Sequence, residues 1–580
     1  MSQRPALIAL SLLLLLLPHA VSAQDDATET RGSQTPAPAS EKKAVDLLRT
    51  ISEQIGSLHS LANRVRSESA IAGLLWTRDE KRSRALFKSA ADDLAEMITN
   101  MDYSDPEIYQ QISSINQLRQ ELVNRMAQYD PEAALSLLRA TRMQTADGRT
   151  KWIGDTETSM ELQLAGLIAR QNPARTMELA RAALPKGVSY ALISLLTNLQ
   201  QRDPKLAQSL YKEMVAQVKD EDLDHNYELA EAAWNLLNFQ PPQANEDTYR
   251  ELIGTLINAV LSITPDNQSG INIAQNVYNQ LQSAIPLIEK YAPARATALR
   301  QWSQNAERTF DPGIRMYQEL NRAQNGTVDD ILALAPRYSG ELQSQIYQQA
   351  AWKAFSSGDV VRARQILNDF ISDPIQRRQM LANFDSQSME TAISETRIDD
   401  VRRLAGRLKN IEQRIQIMSR LAANLAAKGD KTGALSLLNE AKTAADSAPQ
   451  GPGQMSAQLQ LARSFAALDP DQTFGIVQPF IGRVNELTAA AAVIDGFDTR
   501  YLSEGEWVAT RYSNLGNVVN NLNLTLALLA RLDFDRARSL ADQIQRPELR
   551  LAAQLEIARG ALMEKTVNLP MEGRRVMTIN

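Results

Sequence analysis

The stretch "AAKGDKTGALSLLNEA" (residues 426–441) reads as the end of one helix, a turn at Gly429 and Asp430, and the start of a second helix. With Asp430 as anchor, Ala434 follows four residues later and Leu437 seven later. The same spacing of an Asp or Asn, a small residue and a Leu or Ile recurs along the chain. It is found at Asp79 (Ser83, Leu86), Asp130 (Ala134, Leu137), Asn172 (Thr176, Leu179) and Asp203 (Ala207, Leu210). It returns at Asp359 (Ala363, Ile366), Asp469 (Thr473, Ile476) and Asp533 (Ala537, Leu540). A further copy at Ala292 (Ala296, Leu299) lacks the acidic anchor.

The spacing has a physical meaning. Asp and Asn cap helix N-termini, because the side-chain oxygen accepts an orphan backbone N–H. After Asp130, Asn172, Asp203 and Asp469 the next residue is Pro, which is favoured at the first helical position. The small residue one turn in lets another helix approach closely, and the Leu or Ile continues the same face. Four residues before each anchor stands Leu75, Met126, Ile168, Leu199, Ile288, Phe355, Ala426, Phe465 or Leu529, expected to close the preceding helix across the turn. Each copy is therefore a helical hairpin. With long gaps counted as two units, most anchors lie about 31 to 45 residues apart, the period of helical-repeat arrays. One hairpin cannot bury its apolar face alone, so stacking makes the core. No strand-like alternation runs beyond a few residues. The expected fold is all-α: an elongated α-solenoid, or superhelix, of antiparallel helix hairpins.

Two units, "LAAKGDKTGALSLLNEA" with Gly429, Asp430 and Ala434, and "FSSGDVVRARQIL" with Gly358, Asp359 and Ala363, resemble the helix-turn-helix unit of tetratricopeptide-like repeats. Elsewhere the family's first-helix Trp-Leu-Gly-Tyr pattern is missing. The resemblance implies a tetratricopeptide-like solenoid in the broad sense, with HEAT- or armadillo-like stacking as the alternative for the middle.

The ends read differently. Residues 1–23 carry Arg4, an apolar run and small residues before Gln24, the pattern of a secretory signal peptide. The apolar run is shorter than the roughly 20 residues needed to span a bilayer, and no later stretch qualifies. Residues 24–42 are polar and Pro-containing, a disordered leader. The array is expected over 43–562 and an irregular tail over 563–580. With no cysteine anywhere, a lipoprotein anchor, disulfides and thiolate metal sites are closed. Together these imply an exported protein of bacterial type, periplasmic or extracellular. The formal net charge of −6 gives no basic footprint for nucleic acid.

Candidate sites are few. Extra residues at 144–159 hold Trp152, and a second loop at 501–517 holds Trp507. Insertions in a solenoid go to loops, and Trp is a common interface anchor; the alternative is that each ring tucks back onto its hairpin. Arg403 and Arg407 share a helical face, either solvated or open to an anionic ligand. Asp220, Asp222, Asp224, Asn226, Glu228 and Glu231 match the ligand positions of an EF-hand calcium loop, a near miss because His225 stands where the turn needs Gly. A helix starting near Tyr227 with an acidic first turn explains the same residues. Only His59 and His225 follow the signal, and no nucleophile-elbow, zincin, P-loop or dinucleotide motif is present. Adjacent carboxylates such as Asp92 and Asp93, Asp329 and Asp330, or Asp399 and Asp400 point to different helix faces. The reading is a non-enzymatic scaffold without cofactor or metal, presenting its surface to a protein or peptide. The rivals are an envelope polysaccharide-processing enzyme on a superhelical scaffold and a purely structural spacer.

Overall fold

The computed structural model describes residues 38–102, 108–142, 151–220, 227–239, 245–263, 273–309, 312–406, 408, 410–497, 501–507 and 513–562. The expected signal, most of the expected leader and the expected tail lie outside these residues.

The first half contains α1 (Pro38–Gln54), α2 (Leu61–Leu75), α3 (Glu80–Thr99), α4 (Ile108–Ala127), α5 (Pro131–Ala140), α6 (Lys151–Ile168) and α7 (Pro173–Ala183). It continues with α8 (Tyr190–Arg202), α9 (Pro204–Asp220), α10 (Tyr227–Leu236), α11 (Glu246–Ser262), α12 (Ile273–Tyr291) and α13 (Pro293–Thr309). The second half contains α14 (Pro312–Ala323), α15 (Val328–Leu332), α16 (Gly340–Ser356), α17 (Val360–Phe370), α18 (Pro374–Ser394), α19 (Ile398–Ala405) and α20 (Ile411–Ala427). It ends with α21 (Lys431–Asp446), α22 (Pro452–Phe465), α23 (Pro470–Val493), α24 (Asn514–Ala530), α25 (Phe534–Ala541) and α26 (Pro547–Leu562). Between α23 and α24 a minimal antiparallel hairpin pairs β1 (Leu502–Ser503) with β2 (Glu506–Trp507). The fold is the all-α array of hairpins expected from the anchors.

Every acidic or Asn anchor begins the second helix of a hairpin. Asp79, Asp130, Asn172, Asp359, Asp430, Asp469 and Asp533 each accept the backbone N–H three residues on. Asp203 Oδ1 accepts both Lys205 N–H and Leu206 N–H at 3.1 Å. The small residues behind these eight caps, Ser83 to Ala537, are all fully buried, as close helix approach requires, whereas Ala296 of the degenerate copy is half-buried. Where the small residue is Thr, its hydroxyl crosses to the preceding helix: Thr176 donates to Ala165 O at 2.9 Å and Thr473 to Ala462 O at 3.1 Å.

The turn before the cap comes in two forms. In the form without glycine, the cap N–H donates to the carbonyl four residues back, as Asp79 does to Leu75 and Asp203 to Leu199, both at 2.7 Å. In the form with glycine, Gly358 and Gly429 adopt left-handed φ of 90° and 94°. The cap then bonds one residue further back, Asp359 to Ala354 O and Asp430 to Leu425 O, the Schellman closure. At these two hairpins Ala354 and Leu425 are the buried closing residues, and Phe355 and Ala426 are only half-buried. The expected closing position is thus off by one wherever a glycine lengthens the turn.

Three long gaps between anchors each hide a hairpin. The missing caps are Asn245 before α11, Thr327 before α15 and Arg397 before α19. Four residues on stand Tyr249, Ile331 and Val401, buried but large. The fourth long gap, Asp469 to Asp533, holds instead the long α23 and the β-hairpin.

The core runs along the stack in stretches: Val65 to Ala306, Met316 to Phe384, and Met389 to Phe465. The last stretch joins the two ends of the chain, Ala44 to Leu75 with Met455 to Leu562. Helix α1 lies along α26, so the array meets its own beginning rather than ending open. Helix α26 has apolar residues on all sides because α24, α25, α1 and α2 surround it. At its tightest point Gly560 faces Ala527 of α24, where a Cβ would stand 2.0 Å from the Ala527 carbonyl oxygen. The first helix begins at Pro38, before the boundary at 42 read from the sequence. Its first turn is polar, so apolar periodicity starts only at Ala44.

Candidate functional site

Trp507 is not a contact residue on an exposed loop. It is 3% exposed and stacks on Tyr501, with ring centroids 5.6 Å apart. Its backbone N–H donates to Glu548 Oε1 at 2.9 Å. The neighbouring Glu506 accepts from His59 N–H at 2.6 Å, Ser60 N–H at 3.2 Å and Asn63 Nδ2 at 3.1 Å. Asn63 Nδ2 also reaches Trp507 O at 3.1 Å. The loop around Trp507 is a clasp between the ends of the array. Polar composition made it look solvent-facing, and partners more than four hundred residues away left no local signal.

Trp152 belongs to the first turn of α6, and residues 143–150 lie outside the described residues. Asp220 ends α9, Asp222 and Asp224 lie outside the described residues, and Glu228 and Glu231 belong to α10, which starts at Tyr227. Among the described residues no cluster of three metal-ligating side chains occurs.

Arg403 is placed at a cleft, and Arg407 lies outside the described residues. The cleft, about 210 Å³, is lined by Arg364 of α17, Asp385, Ser388 and Ala392 of α18, Arg397, and Asp400, Arg403 and Leu404 of α19. It sits at a joint. Met380 and Phe384 of α18 belong to one core stretch, and Met389 and Ile393 to the next. Arg364 pairs with Asp385. Asp400 is shared, taking Arg397 at 2.8 Å and Arg403 at 2.5 Å, while Glu395 pairs with Arg397 at 2.8 Å from outside the cleft. Sequence reasoning found Arg403 alone. Recognising Arg397 as the cap of a hidden hairpin would have set Arg364 and Arg403 on the second helices of successive units.

Two further polar clusters are internal. Arg119, 1% exposed, holds Glu157 with two nitrogens and also donates to Thr141 Oγ1 and the Leu138 carbonyl. This ties α4, α5 and α6 together, and a buried pair so well partnered is costly to break. On α2 and α3, Glu68 and Asp93 each keep one buried oxygen without a hydrogen-bond partner. Ser89 donates to the other oxygen of Glu68 at 2.8 Å, and Arg64 to that of Asp93 at 2.5 Å. Burial pushes Glu68 up to about 7, with the Asp93 charge adding to it, and Asp93 is raised by burial too. Neither lines the α17–α19 cleft. A smaller cleft beside Thr158, Glu161 and Lys186, about 50 Å³, has room for water only.

No protein family's model matches the chain, and no curated protein matches it. Among solved structures it is similar to a chain of a homology model of the full-length AP-3 complex in an intermediate open conformation. The identity is 14% over 90% of this chain and 82% of that one, with a TM-score of 0.21. It is also similar to a circular tandem repeat protein with novel repeat topology and enhanced subunit contact surfaces. There the identity is 13% over 91% of this chain and 98% of that one, with a TM-score of 0.13. Scores this low carry no argument, and the fold rests on the helices and turns described above. No described helix is long and apolar enough to cross a membrane.

Proposed function

We propose that this chain is an exported, non-enzymatic scaffold of the cell envelope that presents its helical-repeat surface to a protein or peptide partner. Stacked hairpins suit this role because neighbouring units build a continuous surface on a shared core. The observation that carries the reading is the cleft at the α17–α19 joint. It is open and walled by arginines from successive repeats. Arg is also among the residues that concentrate binding energy at interfaces. The signal-like pattern read in residues 1–23 supports an envelope location.

The test is capture in place. The tagged chain is expressed in its native envelope, crosslinked and purified, and bound proteins are identified by mass spectrometry. A discrete partner with crosslinks mapping to one face of the array is the expected result. Hydrolysis of an envelope glycan by the purified chain, lost on changing one carboxylate, with no partner captured, would replace the scaffold reading by the enzyme one.

A further inference from the structure

We propose that the cleft between α17 and α19 is a docking site for a peptide segment bearing Asp or Glu side chains. This rests on the scaffold reading and names the chemistry of the partner at that surface.

Three guanidiniums from two successive hairpins, Arg364, Arg397 and Arg403, face one cleft that contains two carboxylates, Asp385 and Asp400. Asp400 is divided between Arg397 and Arg403. A guanidinium carries five N–H donors in a planar fork. Among the described residues Arg403 makes one hydrogen bond, through Nη2 to Asp400, and its side chain is 64% exposed. The rest of its fork faces solvent, and a carboxylate is the planar, two-oxygen group that matches it. The existing pairs do not block this. Exposed ion pairs are worth about 0–1 kcal/mol, so an incoming carboxylate exchanges with Asp385 or Asp400 at little cost.

The rest of the lining favours a peptide over other anions. Besides the charged groups the lining holds Ser388, the small Ala392 and the apolar Leu404, which suits a side chain and its stem. About 210 Å³ holds a side chain or two. No aromatic ring lines the cleft, so a sugar has no flat face to stack on. Three guanidiniums stand against two carboxylates in the lining, a local excess of positive charge on a chain that carries −6 overall, which complements an acidic segment.

The probe is a short fluorescein-labelled peptide of alternating Glu and Gly, with Gln and Lys counterparts, titrated with the full chain and read by anisotropy. The Glu peptide is expected to bind, more tightly at low salt, and the Gln and Lys peptides are not. Arg403→Gln and Arg364→Gln should each weaken binding by up to about fivefold. Arg403→Lys keeps the charge but loses the fork and should recover only part of the affinity; it also serves if Arg403→Gln misfolds by circular dichroism. Failure of the Glu peptide to bind, or equal binding by wild type and both glutamine variants, overturns the proposal. So does stronger competition from inorganic phosphate or a glucuronate oligomer than from unlabelled Glu peptide, which would assign the cleft to small anions or glycans. Crosslinking the Arg403→Gln chain in the envelope separates the two readings. Partner capture at wild-type yield with no Glu-peptide binding leaves the scaffold and removes the cleft. Glu-peptide binding through Arg403 with no envelope partner leaves the cleft and removes the scaffold.

Discussion

The Glu506 carboxylate sits at the amino end of the helix capped by Ser60, accepting the Ser60 N–H at 3.2 Å and the preceding His59 N–H at 2.6 Å. Helix N-termini carry unsatisfied N–H groups and partial positive charge. Ser60 makes no side-chain cap of its own. The cap of α2 therefore comes from the far end of the chain. Glu506→Ala should lower stability by about 1.5–3 kcal/mol, the range for hydrogen bonds to a charged group. Thermal denaturation of the variant measures this; an unchanged midpoint would mean that the clasp holds nothing.

The α24–α26 crossing depends on Gly560. Gly560→Ala forces a Cβ against the Ala527 backbone oxygen, and backbone cannot step aside as a flexible side chain would. The expected cost is at least about 1–3 kcal/mol, the usual range for overpacking. Gly254→Ala is the matched control. It lies inside α11 with nothing near its Cβ position, so alanine should stabilise it by up to about 1 kcal/mol. Opposite signs in urea titrations of the two variants are the expected result, and equal signs would contradict the packing described.

Thr396 holds a left-handed φ of 57° at the turn into α19, the position glycine fills at 358 and 429. Arg397 N–H donates to Ala392 O there, the same Schellman closure. A β-branched residue in that conformation is strained, by about 1–2 kcal/mol on the usual scale. Thr396→Gly should raise the melting midpoint, although glycine's freedom in the unfolded chain offsets part of the gain. A lower midpoint would show that the Thr396 hydroxyl, which accepts from Lys428 Nζ at 3.3 Å, matters more than the backbone.

Glu68 makes stability depend on pH. Its proton is held more tightly in the folded chain, up to about 7, than at the ordinary 4.5, because burial penalises the charge. Its contribution is full below about 4.5 and is lost as pH rises through 7. Glu68→Gln should match wild type near pH 4 and exceed it at pH 8 by on the order of 3 kcal/mol. Melting curves of both across that range check it. Parallel curves would show that Glu68 is not the titrating group.

How much of this was legible follows from which contacts are local. Capping by Asp430 or Asp79 is settled within three residues, so the pattern was visible, and burial of the small residue behind it followed. The hairpins at Asn245, Thr327 and Arg397 escaped because Tyr249, Ile331 and Val401 replace the small residue, and at the last two Thr and Arg also replace the Asp or Asn anchor. Tyr249 spans the hairpin differently, its hydroxyl donating to Leu237 O at 2.9 Å. The left-handed glycines were present in the sequence, but the one-residue shift they impose on the closing residue was not applied. The clasp of Glu506 and Trp507 and the α1–α26 contact join opposite ends of the chain, and no local periodicity encodes them. Only Arg403 of the cleft was anticipated: Arg364 stands in the recognised Asp359 unit, but the α18–α19 hairpin that sets Asp385, Arg397, Asp400 and Arg403 beside it has no Asp or Asn anchor to announce it.

The central structural claim is that the array meets its own beginning, and one pair reports on it directly. Lys43 Nζ of α1 lies 2.5 Å from Asp535 Oδ2 of α25, and both side chains are accessible. Carbodiimide activation joins an amine to a carboxylate only when they already touch, and Lys219 with Glu251, also at 2.5 Å, is the internal control. After brief coupling, digestion and mass spectrometry of the monomer fraction, the account predicts an amide between Lys43 and Asp535 alongside the control. Recovery of the control without the Lys43–Asp535 link, or with that link confined to dimers, would contradict it.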